Sequence, residues 1–205
     1  DTEPYSERFI GGLGIGQKLY WDEAKFEQDA FHPDNPLIFM TGPLAATPAP
    51  AAPRWIACGK SPLMSPEMFY SGSLSGFWGA ELKMAGFDGI VIKGRADHPI
   101  YINITGDKVE IKDARHLWGC KNSETQRTIR NEAGEKVKLM TIGPGAENNS
   151  RIGIIATDVA GSGSRGFGSV MGAKNLKAIA VAGSGKIPIF DAERIRSIRN
   201  RVKEM

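Results

Sequence analysis

Ser75-Gly76-Phe77-Trp78-Gly79-Ala80-Glu81-Leu82-Lys83, followed by Gly86-Phe87-Asp88-Gly89-Ile90-Val91-Ile92-Lys93-Gly94, has a counterpart further along the chain. The counterpart is Ser164-Arg165-Gly166-Phe167-Gly168-Ser169-Val170-Met171-Gly172, followed by Leu176-Lys177-Ala178-Ile179-Ala180-Val181-Ala182-Gly183. Each copy reads as a Gly/Ser loop, a short helix and an apolar strand. A Gly-rich loop that opens a helix presents free backbone N–H groups and the positive end of the helix dipole, which suits an anion such as phosphate. Two such units point to a ligand with two phosphate arms, or to two copies of one ligand.

The parallel extends upstream. Leu37-Ile38-Phe39-Met40-Thr41-Gly42-Pro43 and Val137-Lys138-Leu139-Met140-Thr141-Ile142-Gly143-Pro144 are apolar strands that end in Gly-Pro. After each comes a loop and then an arginine opening an apolar run, Arg54-Trp55-Ile56-Ala57-Cys58 in one copy and Arg151-Ile152-Gly153-Ile154-Ile155-Ala156 in the other. The offset of roughly 90 to 100 residues is too long for a solenoid, whose repeats run to about 20–50 residues, and reads as an internal duplication. Gly-Pro and Gly-rich loops are also common punctuation, so the order of the elements carries this reading and no single match does.

The chain has 205 residues, enough for a substantial core in one large or two small domains. Its 25 glycines exceed average usage and gather in these loops, which argues for close backbone approach to a ligand. A net charge of +3 without a basic stripe gives no footprint for nucleic acid. Cys58 and Cys120 are the two cysteines and form no Cys-x-x-Cys pair, so the chain holds no zinc or iron–sulfur pattern of its own. No membrane-length apolar run is present. The expected location is cytoplasmic.

Ile100-Tyr101-Ile102-Asn103-Ile104-Thr105 and Lys108-Val109-Glu110-Ile111-Lys112, joined by Gly106-Asp107, predict a hairpin with a type II′ turn. Asn122 or Ser123, with Gln126, predicts a capped helix through Glu132 that stops at Gly134. Asp191 caps a last helix with Ile195, Ile198 and Val202 on one stripe. Gly11-Gly12-Leu13-Gly14-Ile15-Gly16 lacks the dinucleotide spacing, and its glycines are expected to let a helix start pack closely. The fold class is α+β: duplicated strand, Gly-loop, helix and strand halves forming two mainly antiparallel sheets.

Arg54 and Arg165 are the cations nearest the Gly loops, and the guanidinium fork matches phosphate oxygens. Ser73-Leu74-Ser75-Gly76 and Ala160-Gly161-Ser162-Gly163-Ser164 supply backbone N–H groups, carbonyls and hydroxyls suited to phosphate or a divalent cation. His32, His98 and His116 have no ligand spacing and read as structural or solvent-facing. No catalytic acid, base or nucleophile can be assembled.

Several stretches, taken in order, resemble the N-terminal domain of the tungsten-containing aldehyde ferredoxin oxidoreductase family. They include Thr41-Gly42-Pro43-Leu44, Lys60-Ser61-Pro62-Leu63, the run from Gly76 to Asp88, His116-Leu117-Trp118-Gly119 and the run from Met171 to Val181. The resemblance covers the whole chain and implies two related sheets under a tungsten, or molybdenum, bis-pyranopterin with Mg²⁺ between the pterin phosphates. It places Arg54 at the family's pterin-contacting arginine. Ser73 and Gly161 fall where backbone carbonyls reach Mg²⁺. Ser73 stands where the family usually has Asn, and Ser75 where it usually has Gly. Ala160-Gly161-Ser162-Gly163-Ser164 replaces Arg-Ala-Ala-Gly-Arg, with Arg165 one place late. These departures leave a divergent branch open, benzoyl-CoA reductase-like among others.

The implied activity is oxidation of a small aldehyde to a carboxylic acid with ferredoxin as acceptor. The 4Fe–4S cysteines belong to later domains, so residues 1–205 form the tungstopterin-binding N-terminal domain of a larger enzyme, inactive alone, with residues 191–205 beginning the link. The resemblance leaves the metal, the substrate and any homo-oligomer undecided. The alternative is a stand-alone or divergent domain without redox activity, binding another phosphorylated ligand or acting as an assembly subunit.

Overall fold

The apolar runs before the two Gly-Pro pairs become central strands of two separate sheets. A computed structural model describes residues 1–158 and 165–205. Two helices, α1 (Glu3–Phe9) and α2 (Leu13–Glu23), precede a first sheet of β1 (Leu37–Thr41), β2 (Trp55–Ser61), β3 (Met68–Leu74) and β4 (Gly89–Ile92), with α3 (Trp78–Met84) between β3 and β4. Its order is β3-β2-β1-β4, and every pairing is antiparallel.

The second sheet contains β5 (Ile100–Thr105), β6 (Lys108–Asp113), β7 (Lys138–Thr141), β8 (Ala156–Thr157) and β9 (Leu176–Ala182), in the order β6-β5-β9-β7-β8. The chain between these strands forms α4 (Asn122–Ala133), α5 (Pro144–Glu147) and α6 (Phe167–Ala173). Helix α7 (Ala192–Glu204) follows β9.

The duplication is visible in the pairing. β1 lies antiparallel between β2 and β4, as β7 lies between β8 and β9. Thr41 pairs with Trp55, and Thr141 pairs with Ala156. Each half then adds its own strands: β3 outside β2 in the first, and the β5–β6 hairpin outside β9 in the second. The β5–β9 pair is parallel, the one departure from the antiparallel pattern among the described strands.

The central strands of both sheets are covered on both faces. Leu37, Phe39, Trp55 and Leu74 meet Ile104, Met140, Ile179 and Val181 in a core between the sheets. Behind the first sheet, Ile38, Met40 and Cys58 pack on Ile15 and Tyr20 of α2. Behind the second, Tyr101, Leu139 and Ala180 pack on Ile129 of α4. Helices α3 and α6 touch strands of both sheets. Double coverage explains why β1 and β9 are buried residue after residue and read as near-continuous apolar runs instead of alternating ones.

The Thr105–Lys108 register leaves Gly106-Asp107 as the two-residue turn; Gly106 has φ +58° and Asp107 stays at negative φ, as type II′ requires. Gly16 packs closely as expected, since a Cβ there would lie 2.9 Å from Cys58 Sγ. The predicted cap of α4 is not formed: Lys121 holds the N-cap position without a side-chain bond. Asn122 and Gln126 instead reach Thr141 on β7, because a buried hydroxyl there needs partners. Gly134 ends the helix at φ +103°. Asp191 does cap α7, accepting from the Arg194 N–H at 2.8 Å, but no residue of that helix is buried. Among the described residues, no helix is long and apolar enough to cross a membrane.

Candidate functional site

Arg54 stands just before β2 with its side chain exposed, beside the edge strand β3. The Trp55–Leu74 and Ile56–Ser73 pairs bring Ser73 next to it. Arg54 Nη1 lies 3.5 Å from Ser73 Oγ, the outer limit of a hydrogen bond. Among the described residues, no carboxylate forms an ion pair with Arg54. Past Leu74 the strand gives way to Ser75-Gly76, whose Ser75 carbonyl accepts from the buried Trp55 indole at 3.3 Å. Gly76 has φ +93°, a conformation that an L side chain rarely adopts.

The second half contributes at the same place through Thr157. A Cβ built on Gly76 would lie 3.0 Å from Thr157 Oγ1 at the end of β8. The next residue, Asp158, is mostly buried; its carboxylate accepts from the Leu139 N–H and pairs with Arg130, each at 3.0 Å. Burial pushes the Asp158 carboxyl up, opposed by the Arg130 charge. The chain that follows, including Ala160, Gly161, Ser162, Gly163 and Ser164, lies outside the described residues.

Arg165 does not join Arg54. It has φ +57°, its guanidinium carbon sits 5.9 Å from the Tyr70 ring centroid, and its carbonyl accepts from the Ser61 hydroxyl. Ser61 ends β2 where Trp55 begins it, so about 20 Å of strand separates the two arginines at roughly 3.3 Å per residue. Tyr70 and Ser73 also alternate onto opposite faces of β3. The stretch between Asp158 and Arg165 therefore has one described flank near Gly76 and the other near Tyr70, both beside β3.

Arg151 also departs from the sequence-based expectation. It sits in a turn, β8 begins only at Ala156, and the guanidinium pairs with Glu67 at 2.7 Å. Register makes the buried Ile155 the counterpart of Arg54. The backbone is duplicated, while the cation is not.

Sequence reasoning overlooked Trp55, which it placed only within the apolar run after Arg54, and Thr157. It also overlooked the pair formed by Lys177 of β9 and Glu147 of α5, both buried. Lys177 donates to the Cys120 carbonyl as well, and Glu147 accepts from the Gly119 N–H. A lysine inside the apolar run from Leu176 to Val181 was the available signal. The histidines take structural roles: His116 Nε2 lies 2.9 Å from Glu132, and His32 Nδ1 accepts from the Asp34 N–H.

The family model for the aldehyde ferredoxin oxidoreductase N-terminal domain matches residues 1–183. The chain belongs to the aldehyde ferredoxin oxidoreductase family. The tungsten-containing aldehyde ferredoxin oxidoreductase of Pyrococcus furiosus is 42% identical over 99% of this chain. The WOR-like subunit of an aliphatic sulfonate oxidoreductase from the same organism is 36% identical over 95% of it. In each case the chain spans 34% of the relative's length. The active-site complex BamBC of benzoyl coenzyme A reductase, solved with 1,5-dienoyl-CoA, superposes with a TM-score of 0.92 at 36% identity, over 97% of this chain and 30% of that one. These aldehyde ferredoxin oxidoreductase family relatives are oxidoreductases, and several are tungsten-containing enzymes about three times as long as this chain.

Proposed function

We propose that residues 1–205 are the cofactor-binding part of a tungsten bis-pterin oxidoreductase that oxidises a small aldehyde to the acid and passes electrons to ferredoxin. The observation that carries this is the exposed Arg54, free of a carboxylate partner among the described residues, beside Ser73 and the Ser75-Gly76 turn in a chain matched end to end by tungsten enzymes. These residues fit a phosphate-bearing group. A guanidinium offers two parallel donors to phosphate, and Gly76 lets the backbone turn where a side chain would strike Thr157. As an edge strand, β3 also leaves backbone groups without a sheet partner.

In this reading Arg54 holds a pterin phosphate and the Ser73 hydroxyl orients Arg54. The Ser73 carbonyl serves Mg²⁺, with Gly161 as the second carbonyl and Arg165 at the far end of β3. When bound, the tungsten–pterin group supplies the two-electron chemistry, and the protein supplies binding and orientation. The 4Fe–4S cluster, ferredoxin docking and the aldehyde pocket belong to the further domains that longer relatives have, which residues 191–205 lead toward.

The test is the metal content of Arg54→Ala in the full-length enzyme. Bound tungsten plus molybdenum should fall at least fivefold, while the unfolding free energy from urea titration stays within about 0.5 kcal/mol of wild type, as for a surface change. Equal metal in both proteins overturns the reading. The likeness to BamBC favours a second reading, in which the same floor serves a reductase of a thioester substrate. Turnover of aldehydes against benzoyl-CoA by the metal-loaded full-length enzyme separates the two.

A further inference from the structure

We infer that Trp55 is a positioning residue that sets the Ser75-Gly76 turn, and this rests on the reading of that turn as part of the cofactor cradle. Trp55 is wholly buried, and a buried indole N–H requires an acceptor. Its acceptor is the Ser75 carbonyl at 3.3 Å, in the turn itself and not in the core. The ring cannot shift easily. It lies 4.6 Å from the Trp78 ring centroid and 6.0 Å from that of Phe39.

Helix α3 also sits directly on the indole, since a Cβ on Gly79 would come within 2.8 Å of Trp55 Cβ and Cδ1. Thr157 approaches the turn at Gly76. One rigid donor in the core and one contact from the other half therefore hold a turn whose glycine has φ +93°. Arg54 is the residue before Trp55, so a single strand start carries both the cation and the group that sets the backbone beside it.

The test compares Trp55→Phe with Trp78→Phe. Both trim an indole to a phenyl ring in one aromatic cluster, but the Trp78 N–H donates to Ile179 of β9 instead of to the turn. Hydrogen–deuterium exchange in the peptide covering residues 73–77 should quicken roughly three- to tenfold in Trp55→Phe, the effect of one hydrogen bond, and stay near wild type in Trp78→Phe. Bound tungsten plus molybdenum per chain should be lower in Trp55→Phe than in Trp78→Phe at matched thermal stability. Unchanged exchange at residues 73–77 overturns the inference, as does equal metal retention in the two variants. Absence of metal from the wild-type full-length enzyme would instead sink the proposed function, and the exchange comparison would still report on Trp55.

Discussion

Gly76 of the first half and Thr157 of the second meet closely enough that a Cβ on the glycine would lie 3.0 Å from the threonine Oγ1. One contact thus joins the turn after β3 to the end of β8, and through them one edge strand of each sheet. Gly76→Ala meets two penalties, since φ at Gly76 is +93° and the methyl presses on Thr157. We expect a loss of about 1–3 kcal/mol, seen as a lower urea midpoint at unchanged m-value.

The Lys177–Glu147 pair predicts a strongly non-additive cycle. Either Lys177→Met or Glu147→Gln leaves a buried partner uncompensated and should cost about 3–5 kcal/mol. The double variant should cost clearly less than the sum of the two. Additive losses in denaturant titrations would show that the two residues act separately. Glu147→Gln should also quicken exchange at the Gly119 amide, which donates to its carboxylate.

Lys174 predicts a pH dependence. Burial is the main cause lowering its ammonium to about 8, Arg95 adds to the shift, and Asp34 opposes it. The ordinary value of 10.5 applies when the chain unfolds, so between about pH 8 and 10.5 the unfolded chain binds more protons. The contribution of Lys174 to stability therefore rises with pH through this window and is lost as pH falls through 8. The neutral amine can still donate to the carbonyls of Pro33 and Gly94, at 2.8 and 3.2 Å. Cys58 and Tyr20, both pushed up to about 12 by burial, act in the opposite direction at higher pH. The measurement is thus the stability difference between wild type and Lys174→Met from pH 7 to pH 9. It should grow in favour of wild type, by at most about 1.4 kcal/mol per pH unit. A flat difference would contradict the assignment.

Asp191→Ala should act locally. Its carboxylate caps α7, a contribution of about 1 kcal/mol to that helix, yet the helix buries no residue. We expect faster amide exchange within residues 192–198 and an unchanged global urea midpoint. A drop in the global midpoint would mean that α7 unfolds together with the core.

The halves could be found in the sequence because local patterns survive duplication: apolar strand, Gly-Pro, Gly-rich loop and short helix recur in order. The hairpin at Gly106-Asp107 and the α7 cap at Asp191 were equally readable, since turn and cap chemistry involves only a few neighbouring residues. The α4 cap was misread for the converse reason. Asn122 and Gln126 have the right local spacing, but Thr141, 19 residues from Asn122, competes for their side chains. Trp55, Thr157 and the Lys177–Glu147 pair gain their meaning from residues far away in sequence, so the one local hint was a lysine inside the apolar run from Leu176 to Val181.

The sequence by itself determined the α+β class, the duplicated halves and the family, because these rest on local periodicity and on motifs kept in order over the whole chain. Only the tertiary structure decided which cations share a surface. Strand register made buried Ile155 the counterpart of Arg54, sent Arg151 to Glu67, and set Arg165 at the far end of β2. Register depends on how strands pair across long stretches of chain, and a shift of a few residues moves a side chain to another face or another end of the sheet.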